Sequence, residues 1–170
     1  MSGETIDEQI RDRLNDLHSV DSDVRNGVIS ALTRIDRATA ITALTKLINC
    51  QETELRCDAA EALIRLDRNA GVDLLCPLLL DADSLVRWGV CGLLHDFGDK
   101  RAVSWLTRAL SDDSEADVRL LAATALGRIG THEDLPNLRK AAERDLGADY
   151  DGHRVRDAAA EAIVQILARG

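Results

Sequence analysis

One short block recurs five times along the chain, and this repetition constrains the fold more than any other feature. Each copy begins with Val-Arg or Leu-Arg, and the copies start at Val24, Leu55, Val86, Val118 and Val155. Successive copies are 31, 31, 32 and 37 residues apart. Spacings in this range are typical of repeat proteins, in which neighbouring units bury one another's apolar faces.

Each copy has the apolar spacing of an amphipathic helix. In the fourth copy the apolar stripe consists of Val118, Ala122, Ala125, Leu126 and Ile129. Acidic or hydroxyl residues precede the first four copies, where they favour a helix N-terminus. Ser114 and Asp117 have the spacing of a capping box. We expect the helices to end at turns, at Asp36, Asp67, Gly98 and Gly130.

A second helix is predicted between successive copies, so that each repeat is a helical hairpin of about 31 residues. The clearest of these helices covers residues 101–110, and its equivalents are roughly 38–48, 70–80 and 134–142. A further helix over residues 6–17, with Thr5 and Glu8 at capping-box spacing, is expected to cap the stack.

Composition and charge narrow the fold and the class of partner. Only four residues are aromatic, so the core must consist of Leu, Ala, Ile and Val, which suit helix packing. The formal net charge of −9 argues against binding to nucleic acid or to an anionic membrane, but leaves protein partners open. Neither a signal peptide nor a membrane span is recognisable, and the four cysteines lack CxxC spacing. We therefore expect a cytoplasmic protein with reduced thiols.

The repeated block resembles the E-Z type HEAT repeats, also called phycobilin-lyase HEAT-like repeats. Their idealised form runs D-x-x-V-R-x-x-A-A-x-A-L-G-x-I-G-D-x-R-A-V-x-x-L, and VRLLAATALGRIG from Val118 is the closest copy. The resemblance extends from Asp21 over nearly the whole chain. It implies a single domain over residues 1–170 that is all-α, a right-handed α-solenoid of about five HEAT-like hairpins. The capping helix falls within residues 1–20, and the repeats begin at about residues 21, 52, 83, 114 and 151.

In the family that the chain resembles, the Val-Arg helices line a concave surface, which implies where a partner binds. Large apolar side chains fall at the open positions of the third and fourth copies, and they define the Trp88 patch: Leu85, Trp88, Leu120 and Leu121. Gly89 and Gly92 remove bulk beside Trp88. The other residues expected on this face are Glu61, Arg65, Asp96, Thr124 and Arg128. An alternative is that Trp88 folds over the two glycines and completes the core.

Other residues offer little evidence of chemistry. The five Val-Arg arginines recur once per repeat, which predicts structural bridges to Asp side chains or carbonyls rather than a phosphate site. The four histidines are scattered, and the positions after each Val-Arg pair lack the His-Glu pairs of deoxyhypusine hydroxylase, an enzyme built on HEAT repeats. We expect no catalytic residue, metal or cofactor. The extra residues within 143–154 are predicted to form a solvated loop, with weak cation binding through Asp145, Asp149, Asp151 and His153 as the alternative.

The sequence therefore favours a protein-interaction module whose concave face binds a protein partner at the Trp88 patch. A second hypothesis is a lyase- or chaperone-like protein that holds a small chromophore or other ligand in the same groove. A third is self-association into a homodimer through the C-terminal helix, Val155–Ala168, because Val164 and Leu167 have no following repeat to cover them.

Overall fold

The structure, a computed structural model, describes Gly27, Ser30, Ala31 and residues 36–169. Residues 36–169 form eight α-helices joined by short loops and three 3₁₀ turns. The helices are α1 (Arg37–Leu47), α2 (Thr53–Leu66), α3 (Arg68–Leu75), α4 (Ser84–Phe97), α5 (Val103–Asp112), α6 (Ala116–Ile129), α7 (Leu135–Arg144) and α8 (Val155–Ala168). Within this range the only β-type pairing is an isolated bridge between Ala148 and Arg154. The predicted all-α solenoid is confirmed.

The chain divides into two compact units, residues 1–67 and residues 68–170. In the first unit, α1 packs against α2. In the second unit, α6 lies at the centre and contacts α4, α5 and α8, while α8 also packs against α7. The predicted single domain stays a prediction, and the predicted helix over residues 6–17 lies outside the described residues.

The Val-Arg helices end where the sequence predicts: α2, α4 and α6 stop one residue before Asp67, Gly98 and Gly130. The second helix of the next pair departs from its predicted range of 70–80. Only Arg68–Leu75 is α-helical, and Cys76–Leu80 continues as a 3₁₀ turn. Pro77 explains the change, because proline lacks the N–H that an α-helix needs and clashes with the preceding turn.

The predicted capping box of Ser114 and Asp117 is wrong. Glu115 is the N-cap of α6 and makes no side-chain capping bond. Instead, the Glu115 N–H donates to Oδ1 of Asp113 at 3.0 Å. A capping box does form at the 3₁₀ turn after α6, His132–Asp134, where the Thr131 N–H donates to Oδ2 of Asp134 at 2.8 Å.

The described core is built from aliphatic side chains, as the composition predicts. The largest fully buried side chains of the second unit are Leu75, Leu94, Leu106, Leu126, Leu138 and Ile166. Small residues fill the space between helices, with Ala122, Ala123 and Ala125 of α6 fully buried. Alanine lets helix backbones approach closely, so the chain can bury a continuous core without large aromatic side chains.

Arg87 connects the start of its own helix to the end of the next one. Its Nε and Nη2 donate to the two carboxylate oxygens of Asp113 at 2.7 and 2.9 Å. Its Nη1 donates to the carbonyl oxygens of Asp81 and Ala82 at 2.8 and 3.2 Å. The side chains are largely buried, with 12% of Arg87 and 5% of Asp113 exposed.

Arg119 repeats this arrangement 32 residues later. Its Nε and Nη2 donate to Asp145 at 2.7 and 3.0 Å, and its Nη1 donates to the carbonyl oxygens of Asp113 and Ser114, both at 2.9 Å. Asp113 is thus bound through its carboxylate by Arg87 and through its carbonyl by Arg119. We call this chain of contacts the Arg–Asp ladder: Arg87, Asp113, Arg119 and Asp145. It confirms for Arg87 and Arg119 the structural role predicted for the repeated arginine.

The ladder also fixes the charge state of its carboxylates. The hydrogen bond from Arg119 outweighs desolvation and lowers the pKa of Asp145. Desolvation raises the pKa of Asp113, but the bonds from Arg87 and the Glu115 N–H outweigh it, so that this pKa is also lowered. A folded-state pKa below the unfolded value means that the stabilisation is present at neutral pH. It is lost as the pH falls through the folded-state pKa, below about 4.

Gly127 lies at a point where α6 and α8 approach each other closely. A Cβ atom at Gly127 would lie 2.5 Å from Oε1 of Gln165, 2.9 Å from Cα of Ala162 and 3.0 Å from its Cβ. Gln165 can move, but the backbone of Ala162 cannot move without separating the helices. By contrast, a Cβ atom at Gly92 of α4 would meet nothing within 4 Å.

Replacing Asp113 by Ala is expected to lower the free energy of unfolding by about 2–3 kcal/mol, because Arg87 then remains partly buried without its carboxylate. The measurement is chemical denaturation followed by circular dichroism. The matched control is Asp96→Ala, whose exposed carboxylate lies 3.7 Å from Arg128 and 3.0 Å from the ring Nδ1 of His95. The control should cost about 0.5 kcal/mol or less. Equal effects would contradict a stabilising role for the ladder.

Two glycine substitutions should have opposite effects on stability. Gly127→Ala is expected to lower the free energy of unfolding by about 1–3 kcal/mol through overpacking against Ala162. Gly92→Ala is expected to raise it by about 0.5–1 kcal/mol, since alanine favours a helix and has room there. Thermal denaturation of both variants tests the helix contact, and a stabilised Gly127→Ala protein would disprove it.

Candidate functional site

An open groove of about 430 Å³ lies in the second unit, between the first turns of α4 and α6 and the loop before α8. We call it the Trp88 groove. Its lining residues are Ser84, Leu85, Trp88, Glu115, Asp117, Val118, Leu120, Leu121, Asp149, Tyr150 and Asp151. The structure therefore brings together all four members of the predicted Trp88 patch and adds residues from a loop.

The largest side chains of the groove are exposed to solvent. Trp88 is 49% exposed, Leu85 is 63% exposed and Tyr150 is fully exposed. A Cβ atom at Gly92 would meet nothing within 4 Å, so Trp88 does not fill the space above that glycine. Exposed aromatic side chains in a concave site are typical of protein-binding hot spots.

The two leucines of the patch lie deeper than Trp88. Leu120 and Leu121 are half-buried on α6, although the repeat pattern places them at solvent-facing positions. These two leucines form the apolar wall of the groove. Thr124, one turn further along α6, donates its hydroxyl to the Leu120 carbonyl at 3.0 Å and is not part of the lining.

The other predicted site residues lie outside the groove lining. Gly89 and Gly92 are half-buried on α4, and Asp96 meets Arg128 of α6 at 3.7 Å near the far ends of these two helices. Glu61 and Arg65 form an exposed ion pair of 2.8 Å on α2, in the first unit. That they surround the Trp88 patch stays a prediction.

A tight loop places Tyr150 in the groove, a role that the sequence did not predict for this segment. The His153 N–H and ring Nδ1 contact the two Asp149 carboxylate oxygens at 2.7 and 2.8 Å. The Asp149 N–H donates to the His153 carbonyl at 2.9 Å, and Gly152 turns the chain with φ of 86°. The 37-residue spacing before the last repeat was the signal that an additional element lies here.

The bond between Asp149 and His153 shifts both pKa values. The carboxylate hydrogen bond and charge raise the pKa of His153 above its ordinary range. Desolvation raises the pKa of Asp149, but the hydrogen bonds and charge of His153 outweigh it and lower this pKa. Oxygen or nitrogen atoms of Asp149, Asp151 and His153 lie within 4.8 Å of one another, which is the approach that a cation would need. The direct His153–Asp149 bond accounts for the approach of these two residues, and Asp151 lies exposed beside them.

The groove lining is strongly acidic. It contains the carboxylates of Glu115, Asp117, Asp149 and Asp151, and it contains no Lys or Arg. Arg87 and Arg119 lie on the same two helices as the groove, but the ladder binds their guanidinium groups. Both arginines also attract Glu115. The carboxylates at the border of the apolar wall that these arginines leave uncompensated are therefore Asp117, Asp149 and Asp151.

The buried thiols do not offer an obvious nucleophile. None of the four cysteines forms a disulfide, and Cys76 and Cys91 are buried. Desolvation raises the pKa of Cys76 to about 11 and that of Cys91 to about 12. Both thiols are protonated at neutral pH and hence weakly reactive. None of the described helices has the length and apolarity required to cross a membrane.

The exposure and charge around Trp88 can be tested with fluorescence quenching. In a Trp105→Phe variant, Trp88 is the only tryptophan. Its emission should be quenched more strongly by caesium than by iodide, because the four carboxylates attract cations. The Trp88→Phe variant, which retains half-buried Trp105, is the control and should show weaker quenching. Emission at short wavelength that neither ion quenches would show that Trp88 is buried.

Comparison with solved structures supports the fold. The chain is similar to the complex of CpcE and CpcF of phycocyanin lyase from Nostoc sp. PCC7120, with a TM-score of 0.66 and 24% identity over 94% of this chain and 65% of that chain. It is thus shorter than that relative. It is also similar to an engineered protein, with a TM-score of 0.57 and 22% identity over 97% of this chain and 82% of that chain. A third similar structure is a computationally designed armadillo repeat protein for modular peptide recognition. It has a TM-score of 0.58 and 20% identity over 94% of this chain and 86% of that chain.

A search of the curated proteins gives no match. The family model for HEAT repeats matches residues 10–90 and residues 72–164, which together cover most of the chain. The arrangement of α-helical pairs in the described residues agrees with this match. The chain belongs to the HEAT repeat family.

Proposed function

We propose that this chain is a protein-interaction module that binds a segment of a partner protein in the Trp88 groove. The observation that carries the proposal is the exposure of Leu85, Trp88 and Tyr150 around one open groove. Binding of a partner would remove these side chains from water, which is the main source of free energy in association. A segment rather than a globular surface suits a groove of about 430 Å³.

The size of this apolar surface limits the expected affinity. Burial of one large apolar side chain contributes about 1.5–3 kcal/mol, so three contribute roughly 5–9 kcal/mol. Association costs at least about 4 kcal/mol in lost translational and rotational freedom. The three anchors alone therefore support weak binding, and an affinity near the micromolar range requires polar contacts as well.

A second candidate function is the handling of a small chromophore or another ligand in the same groove, as in a lyase- or chaperone-like protein. The fold similarity to a phycocyanin lyase complex and the resemblance to E-Z type HEAT repeats favour this candidate. A volume of about 430 Å³ also falls within the usual range of small-ligand sites, about 300–1,000 Å³. The charged border and the wide opening favour a peptide over a flat apolar chromophore.

Two finer expectations accompany the proposal. The first is a cytoplasmic location. The second is a homodimer through α8, which is supported by the exposure of Val164 (65%) and Leu167 (48%). The CpcE and CpcF chains, which are similar to this chain in fold, form a complex, and this supports pairing of repeat chains. Both expectations stay predictions.

The purified protein should select peptides from a random library of short displayed peptides, and these should bind in the Trp88 groove. A double substitution, Trp88→Ala with Tyr150→Ser, should weaken the selected peptides by about tenfold or more, because it removes two aromatic anchors. Fluorescence anisotropy of labelled peptides measures the affinity. Circular dichroism shows whether the variant is folded, which we expect because both side chains are exposed.

The matched control is Leu80→Ser with Leu146→Ser, which removes two exposed leucines outside the groove. This variant should bind the peptides as tightly as the wild type. Peptides that bind the groove variant and the wild type equally would contradict the proposal. Absorbance of a bound chromophore in the purified protein, without peptide selection, would instead favour the ligand-handling candidate.

A further inference from the structure

We infer that the segment bound in the Trp88 groove carries an arginine or lysine beside an apolar residue, an inference that rests on the proposed function. The chemistry of the lining determines this choice of occupant. Its walls provide apolar surface from Leu85, Leu120 and Leu121, while its charged groups are all carboxylates. A purely apolar segment would leave this negative charge uncompensated at the border.

The carboxylates come from two sides of the groove. Glu115 and Asp117 lie at the start of α6, and Asp149 and Asp151 lie on the opposite loop. Among the described residues, the side chain of Asp117 has no hydrogen bond or ion pair, and that of Asp151 has only the electrostatic attraction of His153. These two carboxylates are available to a cationic side chain without loss of an existing contact.

The aromatic side chains add a second preference for a cation. Trp88 and Tyr150 both line the groove and are exposed. A guanidinium or ammonium group over an aromatic face is attracted by the negative charge of the π-system. Arginine also stacks on aromatic rings and forms bidentate bonds with carboxylates, so we expect arginine to bind more tightly than lysine.

The neighbouring cationic side chains of the protein are engaged elsewhere and do not compensate all of the negative charge of the groove. Arg87 and Arg119 are bound to Asp113 and Asp145, and His153 is directed at Asp149. His153 becomes positively charged as the pH falls through its raised pKa, and it then offsets part of the loop's negative charge. Above that pKa the border keeps more of its negative charge, and a cationic segment should bind best there.

The test uses the labelled peptides selected by the wild-type protein that lose affinity in the Trp88→Ala/Tyr150→Ser variant. Each arginine or lysine in them is replaced in turn by Gln and by Glu. We expect at least one position where Gln weakens binding about fivefold and Glu weakens it further, measured by anisotropy. The affinity of the parent peptide should also fall as the salt concentration rises.

A matched pair of protein variants identifies the carboxylates responsible. Asp117→Asn with Asp151→Asn should weaken the cationic peptides by about tenfold, as expected for the loss of two exposed ion pairs. Glu143→Gln with Asp112→Asn makes the same change in net charge outside the groove and should leave the affinity unchanged. An equal loss in both variants would overturn the inference, because it would show only a long-range effect of net charge.

The outcomes also separate this inference from the proposed function. Groove-dependent peptides that are neutral or acidic would overturn the inference and leave the interaction module intact. If no selected peptide depended on Trp88 and Tyr150, the proposed function itself would be wrong. A peptide whose affinity is unchanged by Gln and Glu substitution at every cationic position would also overturn the inference.

Discussion

The Arg–Asp ladder is the interaction on which the arrangement of the second unit depends. Each of its two arginines satisfies carbonyl groups just before its own helix and a carboxylate at the end of the following helix. A single side chain thus fixes where one hairpin ends relative to where it begins. Because the pairs are largely buried, their value lies in geometry, since desolvation offsets much of the attraction between buried charges.

The ladder reaches the groove through Asp145. That carboxylate ends α7, accepts the Gly147 N–H at 2.9 Å and binds Arg119, so it fixes the start of the loop that carries Tyr150. A Cβ atom at Gly147 would collide with Nη2 of Arg119 and lie 3.0 Å from Cβ of Ala116, so a side chain there would displace Arg119 from Asp145. The Asp149–His153 bonds then close the other end of the loop. The Arg119–Asp145 contact, which joins successive helices, therefore also positions Tyr150.

The fold was predictable from the sequence because the same helical pattern recurs in several copies. The ends of α2, α4 and α6 and the whole range of α8 follow from the pattern alone. Leu85, Trp88, Leu120 and Leu121 were predictable as one patch because they break the small or polar pattern of other copies. Tyr150 was not, because its position depends on a loop whose hydrogen bonds and turn at Gly152 have no counterpart in the repeat. The Ser114 capping box failed because Asp113 supplies the competing bond.

The same reasoning separates residues that serve the stack from residues that serve a partner. A feature that recurs in each repeat, such as the arginine or the small buried residues of α6, is explained by packing between neighbours. Trp88, Gly92 and the loop around Tyr150 occur once, and the structure leaves them exposed or with open space beside them. Packing between repeats does not require these residues, and exposure of an aromatic side chain to water does not stabilise the fold. The joint presence of Trp88 and Tyr150 at an acidic groove is what binding of a complementary cationic segment would explain.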